Sequence, residues 1–494
     1  MNYISTRGIN KEKVSSAYAI KTGLALDGGL FMPEEIPSLT LSEISELTSL
    51  PYEVRAAKIL SKFLTDYTYE ELLTDASGAY SSERFTPSAA PLTKLDENNY
   101  MLELWHGPTS AFKDMALQIM PRLFTRALKK CGEDKCALIL VATSGDTGKA
   151  ALEGYRDIPG TKIKVFYPSN GVSRVQKMQM QTQEGKNVSV SGIVGNFDDA
   201  QSGVKAIFSD ENMKKTLLDS KVFLSSANSI NWGRLVPQIV YYISAYCDLV
   251  NSSAVMLGDK VDFVVPTGNF GNIFAGYIAK LMGLPVEKLV CASNVNNVLT
   301  DFLRTGTYDK NRVFHATISP SMDILISSNL ERLLYVTLGC EKTAKYMKEL
   351  SEKGVYTLEK EELDKICETF VGYYTSEEDT RRTIKDVFEN KNCLIDTHTA
   401  VAVNAARCYY EDYKAERKII TVSTASPYKF AADVFSAVSG RSAADEVSAL
   451  SELSAFSGVE IPAPLAEITK KAVLHTEVID KGEMSDATVK FARS

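Results

Sequence analysis

The feature that most constrains the fold of this chain is a regular alternation of short apolar runs and helix-like segments, which begins at Ala137. Such runs are typical of buried strands when a polar or Gly-containing loop follows them. The runs are ALILVA (137–142), KIKVFYP (162–168) and NVSVSGIV (187–194), and the helix-like segments after them are KAALEGYRD (149–157), SRVQKMQMQTQ (173–183) and DDAQSGVKAIFSD (198–210). Three consecutive βα units predict parallel strands joined by right-handed crossovers.

A second series of the same kind follows and predicts another α/β unit. Its strands are VDFVVP (261–266), KLVCASN (288–294) and RKIITVST (417–424), and its helices are GRLVPQIVYYISAYCDLV (233–250), GNIFAGYIAKLMG (271–283) and KFAADVFSAVSG (429–440). The first ninety or so residues are instead mostly helical in pattern, and the charged stretch 341–390 predicts solvent-facing helices.

The sequence therefore predicts an α/β protein with two doubly wound parallel-sheet domains and an N-terminal, mostly helical subdomain. The expected divisions are residues 1–95 for the helical subdomain, 136–210 for a small α/β domain, and 96–135 with 211–494 for a large α/β domain.

Composition excludes several classes of protein. The 494 residues carry a net charge of -7 and no basic run, so a nucleic-acid partner is not expected. Residues 1–22 lack the apolar core of a signal peptide, and nowhere do 18 apolar residues follow one another. We therefore expect a cytoplasmic protein with no membrane partner. Eight scattered Cys and four His give neither a disulfide framework nor a metal site.

Two glycine-containing loops follow predicted strands and lead into helices. PTGNFGN (266–272) is compatible with a phosphate held by backbone N–H groups at a helix N-terminus, but equally with a structural βα turn. TSGDTG (143–148) lacks the GxxxxGK[ST] spacing of a nucleotide-hydrolysing loop. Neither loop contains GxGxxG, which argues against a dinucleotide site.

A third segment, ELWHGPTSAFKDMALQIMPRLF (103–124), places Lys113 after a Gly-Pro turn at the start of an apolar helix. The residue is either a solvated surface lysine or a lysine in a partly apolar pocket. In the second case its pKa would be lowered, as Schiff-base chemistry requires.

Taken together, these motifs resemble the threonine synthases, a family of pyridoxal-phosphate (PLP) enzymes of fold type II. The matching segments occur in the family's order from about Tyr3 to Phe430. They are STRG, DGGLFMPEEIP, HGPTSAFKD, ATSGDTGKAA, SSANSINWGRLVPQIVYY, PTGNFGN, SPSMDI, DTHTAV and STASPYKF. Ser426 and Tyr428 depart from the family pattern, which often has His and Ala there.

The resemblance implies pyridoxal 5'-phosphate as cofactor, bonded covalently to Lys113. It implies that Thr424 meets the pyridine nitrogen, and that two loops bind the cofactor phosphate and the substrate carboxylate. The phosphate loop would be Gly268, Asn269, Phe270, Gly271 and Asn272, and the carboxylate loop Thr143, Ser144, Gly145, Asp146 and Thr147.

The implied reaction converts O-phosphohomoserine and water to L-threonine and phosphate. Our candidates for the substrate phosphate are Arg234 and Lys429, with Ser229 and Asn231 as further contacts. The alternatives are that Arg234 caps the 233–250 helix and that Lys429 is plain surface.

Two other functions remain compatible with these motifs. One is a phospho-lyase or a serine/threonine dehydratase on the same fold. The other, from a different class, is a non-catalytic phosphate-binding α/β module in which Lys113 is structural. The sequence leaves the oligomeric state open.

Overall fold

Two mostly parallel sheets form the body of the protein, in a computed structural model that describes residues 1–8, 12–143, 145–170 and 172–494. The larger sheet has six strands, in the order Phe370–Tyr374, Val286–Ser293, Val261–Pro266, Ile419–Ser423, Asn99–Glu103 and Leu92–Lys94. All neighbours are parallel except the last pair, which is antiparallel. The predicted fold class, an α/β fold with two parallel-sheet domains, is confirmed.

The smaller sheet has five parallel strands and extends beyond the predicted residues 136–210. Its order is Val478–Asp480, Val188–Val194, Thr161–Pro168, Cys136–Ala142 and Val222–Ser225. The strands at both edges were assigned to the large domain, because a strand of three or four residues gives too short an apolar run to be recognised. We therefore propose that the small domain continues to about residue 225 and also includes the segment 473–494.

The N-terminal region is mostly helical, as the sequence predicts. Its helices are Ser16–Thr22, Leu41–Thr48, Tyr52–Phe63 and Tyr69–Ala79, and a short antiparallel pair joins Tyr3–Ser5 to Phe31–Pro33. Two helices begin with a capping box in which Thr40 or Thr68 pairs with a Glu three residues later. Capping explains why these helices start where they do.

Helices cover both sheets. The helices that follow or join the strands of the smaller sheet are Asp146–Tyr155, Arg174–Gln181, Phe197–Ser209, Glu211–Asp219 and Met484–Arg493. The others are Asp114–Leu117, Met120–Lys130, Trp232–Asn251, Gly271–Met282, Val298–Thr305, Leu330–Leu338, Cys340–Lys353, Lys360–Cys367, Glu377–Lys391, Thr397–Tyr413, Ala431–Ser439, Ser448–Ser457 and Ala463–Ala466.

The helix Trp232–Asn251 is buried on nearly all sides. It packs against Tyr52–Phe63 on one side and Gly271–Met282 on the other. A helix that is apolar all round belongs in the interior. This helix therefore joins the N-terminal region to the larger sheet in one continuous core.

The charged stretch 341–390 is only partly as predicted. It contains the expected helices, but Phe370–Tyr374 between them forms the edge strand of the larger sheet. A short antiparallel pair, Thr307–Asp309 with Val355–Thr357, also forms here. Short strands between charged helices leave little periodic signal in a sequence.

Within the described ranges, no helix combines the length and apolar character needed to cross a membrane. All eight cysteines are free thiols, and those at Cys247 and Cys291 are buried.

Candidate active site

The loops singled out in the sequence lie where strands of the two sheets end. Residues 267–270 follow Val261–Pro266, residues 424–426 follow Ile419–Ser423, and Thr143 follows Cys136–Ala142. In open α/β sheets, ligands bind beyond the carboxyl ends of the strands. The fold thus brings these separate segments toward a common site.

Lys113 is the central cation of this site. It precedes the short helix Asp114–Leu117, and its side chain is only 10% exposed. Its Nζ lies 3.4 Å from Ser321 Oγ and 3.7 Å from Asp146 Oδ2, and 4.7 Å from the centre of the Phe112 ring. Burial, together with the positive charges of Arg234 and Lys429, lowers the pKa of Lys113 to about 8 although Asp146 opposes the shift. The solvated-lysine alternative is therefore excluded.

Asp146 and Lys429 form a buried ion pair beside Lys113. Lys429 Nζ lies 2.8 Å from Asp146 Oδ1 and also donates to Gln179 Oε1 at 2.8 Å and to the Thr109 carbonyl at 3.0 Å. Burial alone would raise the pKa of the Asp146 carboxyl, but Lys429 and Lys113 outweigh burial and hold it well below its usual range. Lys429 is 1% exposed, so it is not plain surface.

The loop that contains Asp146 is held by its own side chains. Thr143 Oγ1 accepts hydrogen bonds from the amides of Gly145 at 3.0 Å and Gly148 at 2.9 Å. Gly145 has φ +149°, and a Cβ there would lie 2.5 Å from the Gln176 side chain. Only glycine fits this conformation and space. Thr147 is half-buried in the first helical turn, and the predicted contact Ser144 lies outside the described residues.

The GNFGN loop forms a tight turn into the helix Gly271–Met282. Phe270 is in the left-handed region at φ +60° and precedes the helix directly. Turned N–H groups next to a helix N-terminus make an anion site. A Cβ at Gly268 would lie 2.8 Å from the carbonyl oxygen of Ser321, so no side chain fits there.

Asn269 and Asn272 of this loop are placed differently. Asn269 is exposed, and its carbonyl accepts hydrogen bonds from the Asn329 amide and side chain. Asn272 is buried, and its Oδ1 accepts hydrogen bonds from the hydroxyls of Tyr241 and Tyr242 at 2.6 and 2.7 Å. Its Nδ2 is buried without a hydrogen-bond partner. An unpaired buried donor costs free energy, which a bound acceptor such as a phosphate oxygen would recover.

Thr424 is buried in a loop that is bound to the Lys113 segment. Its carbonyl accepts from the Phe112 amide at 2.8 Å, and the Ser426 amide donates to the Ser110 carbonyl at 3.0 Å. Ser426 Oγ caps the short turn at Pro427–Phe430, and the Tyr428 hydroxyl donates to the Val459 carbonyl. The two departures from the family pattern therefore make local structural contacts.

Of the candidates for the substrate phosphate, Arg234 is a buried cation without a carboxylate partner in the part of the chain that the structure describes. Its side chain donates to the Ala227 carbonyl at 2.9 Å. Burial lowers its pKa to about 10. It lies in the first turn of the helix Trp232–Asn251 but does not cap that helix, because Asn231 is the capping residue.

Asn231 and Ser229 are placed by local structure. Asn231 Oδ1 accepts from the Gly233 amide, and Nδ2 donates to the carbonyls of Ile20 and Ser226. With all these bonds made inside the protein, Asn231 is a structural cap. Ser229 is half-buried, and its Oγ lies 3.5 Å from Ser328 Oγ.

The sequence motifs SPSMDI and DTHTAV contain residues that belong to the site but were given no role. Ser321 Oγ faces Lys113 Nζ, and the Ser321 amide donates to His398 Nε2 at 3.1 Å. His398 Nδ1 in turn lies 2.8 Å from Asp396 Oδ2. Arg332 was also missed, although it is fully buried and donates to the carbonyls of Ser229 and Ile230. The motifs SPSMDI and DTHTAV mark the segments of Ser321 and His398, but the sequence does not reveal the Ser321–His398 and Arg332–Ser229 contacts, because each joins residues distant in the chain.

No group of three or more His, Cys, Asp or Glu residues is arranged to hold a metal ion in the described ranges. The observed donors instead fit pyridoxal phosphate: a buried amine of lowered pKa, a glycine turn at a helix N-terminus and an unpaired buried amide. The fold and this site define a pyridoxal-phosphate enzyme of fold type II.

Comparison with known proteins supports the assignment to the pyridoxal-phosphate enzymes and identifies one family among them. The profile described as pyridoxal-phosphate dependent enzyme matches residues 86–425. Those described as threonine synthase N terminus and threonine synthase, C-terminal match residues 2–80 and 399–472. The chain belongs to the threonine synthase family.

Individual relatives agree with this assignment. Threonine synthase of Pseudomonas aeruginosa is 41% identical over 87% of this chain and 89% of its own length. The crystal structure of PLP-bound threonine synthase from Brucella melitensis superposes with this structure over 100% of both chains, with 35% sequence identity and a TM-score of 0.88. Human threonine synthase-like 1 is also 41% identical, and the match spans 81% of this chain and 56% of the length of the human protein.

Proposed function

We propose that this protein converts O-phosphohomoserine and water to L-threonine and inorganic phosphate. The observation that carries the proposal is Arg234, a buried guanidinium without a carboxylate partner in the described ranges, whose charge acts on Lys113. A buried cation is costly unless an anion compensates it. A substrate phosphate supplies that anion beside the reactive lysine.

Three groups of residues would hold the cofactor. Lys113 would bond to it covalently, the turn 268–272 would bind its phosphate, and the Thr424 hydroxyl would meet the ring nitrogen. Pyridoxal phosphate, when bound, withdraws electrons from the substrate carbons that lose protons. A hydroxyl at the ring nitrogen, unlike a carboxylate, does not favour full protonation of the ring and so limits this withdrawal.

Lys113 is also our candidate for the base that removes the Cα proton and then a Cβ proton. A base must be neutral before it accepts a proton, and a pKa of about 8 leaves an appreciable neutral fraction near neutral pH. The nearby Ser321 hydroxyl and Asp146 carboxylate orient the amine. The water that adds at Cβ must reach a site whose central residues, Lys113, Asp146 and Lys429, are buried.

The residues of the TSGDTG loop have two different roles in this proposal. A substrate carboxylate is repelled by the ionised Asp146, which already pairs with Lys429. We assign Asp146 as the counter-ion of the two lysines. The substrate carboxylate would meet the N–H groups at the start of the helix Asp146–Tyr155, with the Thr147 hydroxyl as a further donor.

The experiment that tests the function is a product assay with O-phosphohomoserine. We expect equal amounts of threonine and phosphate, because water must add at Cβ before release. Since the sequence motifs are also compatible with a phospho-lyase on the same fold, 2-oxobutyrate and ammonia are measured in the same samples. Mainly 2-oxobutyrate would identify a phospho-lyase, and absence of phosphate release would refute the proposal.

Arg234→Gln is expected to lower kcat/KM for O-phosphohomoserine about ten- to a hundred-fold, while the cofactor absorbance stays intact. Loss of a charged hydrogen bond to phosphate costs about 1.5–3 kcal/mol. Since the leaving group gains charge as its bond breaks, part of the loss should appear in kcat. Phosphate release and the absorbance spectrum are measured together.

The matched control for this variant is Arg407→Gln, at a half-exposed arginine that pairs with Asp386 outside the site. It should turn over like the unmodified protein. If Arg234→Gln does the same, the substrate phosphate binds elsewhere, and Arg332 becomes the next residue to change.

Gly268→Ala is expected to weaken cofactor binding about five- to a hundred-fold. The added Cβ would lie 2.8 Å from the Ser321 carbonyl oxygen, and such overpacking costs about 1–3 kcal/mol. If Ser321 shifts to make room for the new Cβ, the surroundings of Lys113 change as well, because Ser321 Oγ lies 3.4 Å from Lys113 Nζ. Cofactor retained after dialysis is the measurement. Gly482→Ala, which meets no atom within 4 Å, is the control, and equal retention by both variants would contradict the prediction.

A further inference from the structure

A second cavity, separate from the active site, lies between the end of the helix Asp146–Tyr155 and the segment that joins Asp114–Leu117 to Met120–Lys130. Its volume is about 160 Å³. Arg84, Gln118 and Arg122 line one side, and residues 153–154 and 156–158 line the other. We call it the arginine cavity.

Arg84 and Arg122 are the cations of this cavity that have no carboxylate within ion-pair distance, among the residues described. Arg84 donates to Gln118 Oε1 at 2.6 Å, and Arg122 donates to the Gly78 carbonyl at 3.2 Å. Burial lowers the pKa of Arg122 and the charge of Arg84 lowers it further, although the Asp75 carboxylate, which pairs with Arg126, opposes the shift. Two like charges held together with no carboxylate in ion-pair contact favour binding of an anion.

The other charged residues around the cavity are paired. Arg156 lies 3.0 Å from Glu184, and Glu153 lies 3.0 Å from Lys149. Asp157 Oδ2 lies 3.8 Å from Arg156 Nε, and Asp157 also accepts a hydrogen bond from the Lys186 amide at 2.8 Å. Among the charged residues that line the cavity, Arg84 and Arg122 are therefore the two with no oppositely charged group within 4 Å in the described ranges.

Gln118 supplies an independent indication of a ligand. The residue is only 4% exposed, and its Nε2 is buried with no hydrogen-bond partner. Its other amide atom, Oε1, is occupied by Arg84. A buried donor without an acceptor is unfavourable, and an oxygen atom of a bound anion would supply the missing hydrogen bond.

We propose that the arginine cavity binds a phosphate-type oxyanion. Two guanidinium groups and a free amide N–H form a set of donors that suits a tetrahedral oxyanion. The volume is several times the roughly 30 Å³ that one water molecule occupies in the liquid, so a phosphate group fits. This binding site goes beyond the proposed reaction and does not depend on it.

The position of the cavity relates it to the active site. The helix Asp114–Leu117 starts next to Lys113 and ends beside Gln118, and the other helix starts at Asp146 and ends at the cavity. The two helices touch, since a Cβ at Gly154 would lie 2.0 Å from the Leu117 carbonyl oxygen. An anion in the arginine cavity thus contacts the far ends of both helices that carry active-site residues.

The test uses the holoenzyme with two probes. Crystals are soaked in tungstate, whose anomalous scattering locates the anion, and inorganic phosphate binding in solution is measured by calorimetry. We expect tungstate between Arg84 and Arg122, and at least about tenfold weaker phosphate binding at this site in the Arg84→Gln/Arg122→Gln variant. The control is Arg381→Gln/Arg407→Gln, which removes the same charge from two arginines already paired with Asp433 and Asp386.

Three results would overturn the proposal: no tungstate in the cavity, tungstate that persists in the Arg84→Gln/Arg122→Gln variant, or phosphate affinities equal in that variant and the unmodified protein. Tungstate in the cavity with unchanged phosphate binding in solution would mean an adventitious ion only. Tungstate bound at the active site is distinguished by its position. The product assay on the same variant is separate, so failure of the proposed reaction leaves this test intact.

Discussion

Replacing Lys113 with alanine is expected to abolish both turnover and covalent attachment of pyridoxal phosphate. The amine of Lys113 is the proposed attachment point and the proposed base, so one substitution removes both. Loss of a general base alone costs about 10²- to 10⁴-fold in rate, and loss of attachment adds to this. Absorbance and borohydride reduction with peptide mass analysis measure the attachment, and phosphate release measures turnover.

The folded structure should survive this change, because the Asp146–Lys429 pair remains. Lys260→Ala provides a control, since Lys260 is an exposed lysine paired with Glu287. That variant should keep the cofactor on Lys113. A reduced adduct on another lysine, or full turnover by Lys113→Ala, would show that the central assignment is wrong.

Asp146→Asn is expected to have the second largest effect, on stability as well as on Lys113. Removing one partner of a buried ion pair leaves the other charge uncompensated, which costs about 3–5 kcal/mol. Lys429 would be the uncompensated charge, since it is 1% exposed. The urea midpoint should fall accordingly. Asp386→Asn, which breaks the half-exposed pair with Arg407, should change the free energy of unfolding by about 1 kcal/mol or less.

The Asp146→Asn substitution should also lower the pKa of Lys113. The Asp146 carboxylate raises the pKa of Lys113 against burial, so its removal should lower that pKa below about 8. In the cofactor-free protein, reaction of Lys113 with an amine-specific reagent requires the neutral amine. The pH at half-maximal rate should therefore shift down in Asp146→Asn. A midpoint that stays the same or rises would contradict the proposed counter-ion role.

The sequence predicted the parallel-sheet architecture well because each strand–loop–helix unit is local. Both Val261–Pro266 and its loop were recognisable from one continuous segment of chain. The edge strands Val222–Ser225 and Val478–Asp480 were missed. Such strands are stabilised by pairing with a sheet already formed, and three or four residues carry no periodicity of their own.

The predictions for the candidate site depend on local motifs in the same way. Lys113 and the glycine turns stand in distinctive local motifs, whereas the burial of Lys429 depends on Asp146 and Gln179, which are far away in sequence. The pairing of His398 with Ser321 likewise joins residues of two separate motifs. Asn231, predicted as a ligand contact, caps the helix Trp232–Asn251.

The pairing of Asn99–Glu103 with Ile419–Ser423 has a consequence for how the chain folds. Asn99 stands opposite Ile419, about 320 residues later, so this central part of the larger sheet has a very high contact order. Four strands of the smaller sheet lie within residues 136–225 and can assemble much earlier during translation. We therefore expect the smaller sheet to be nearly complete before the larger one forms. The Lys113 loop donates a hydrogen bond to the Thr424 carbonyl, so this loop becomes fixed only after the strand Ile419–Ser423 has left the ribosome.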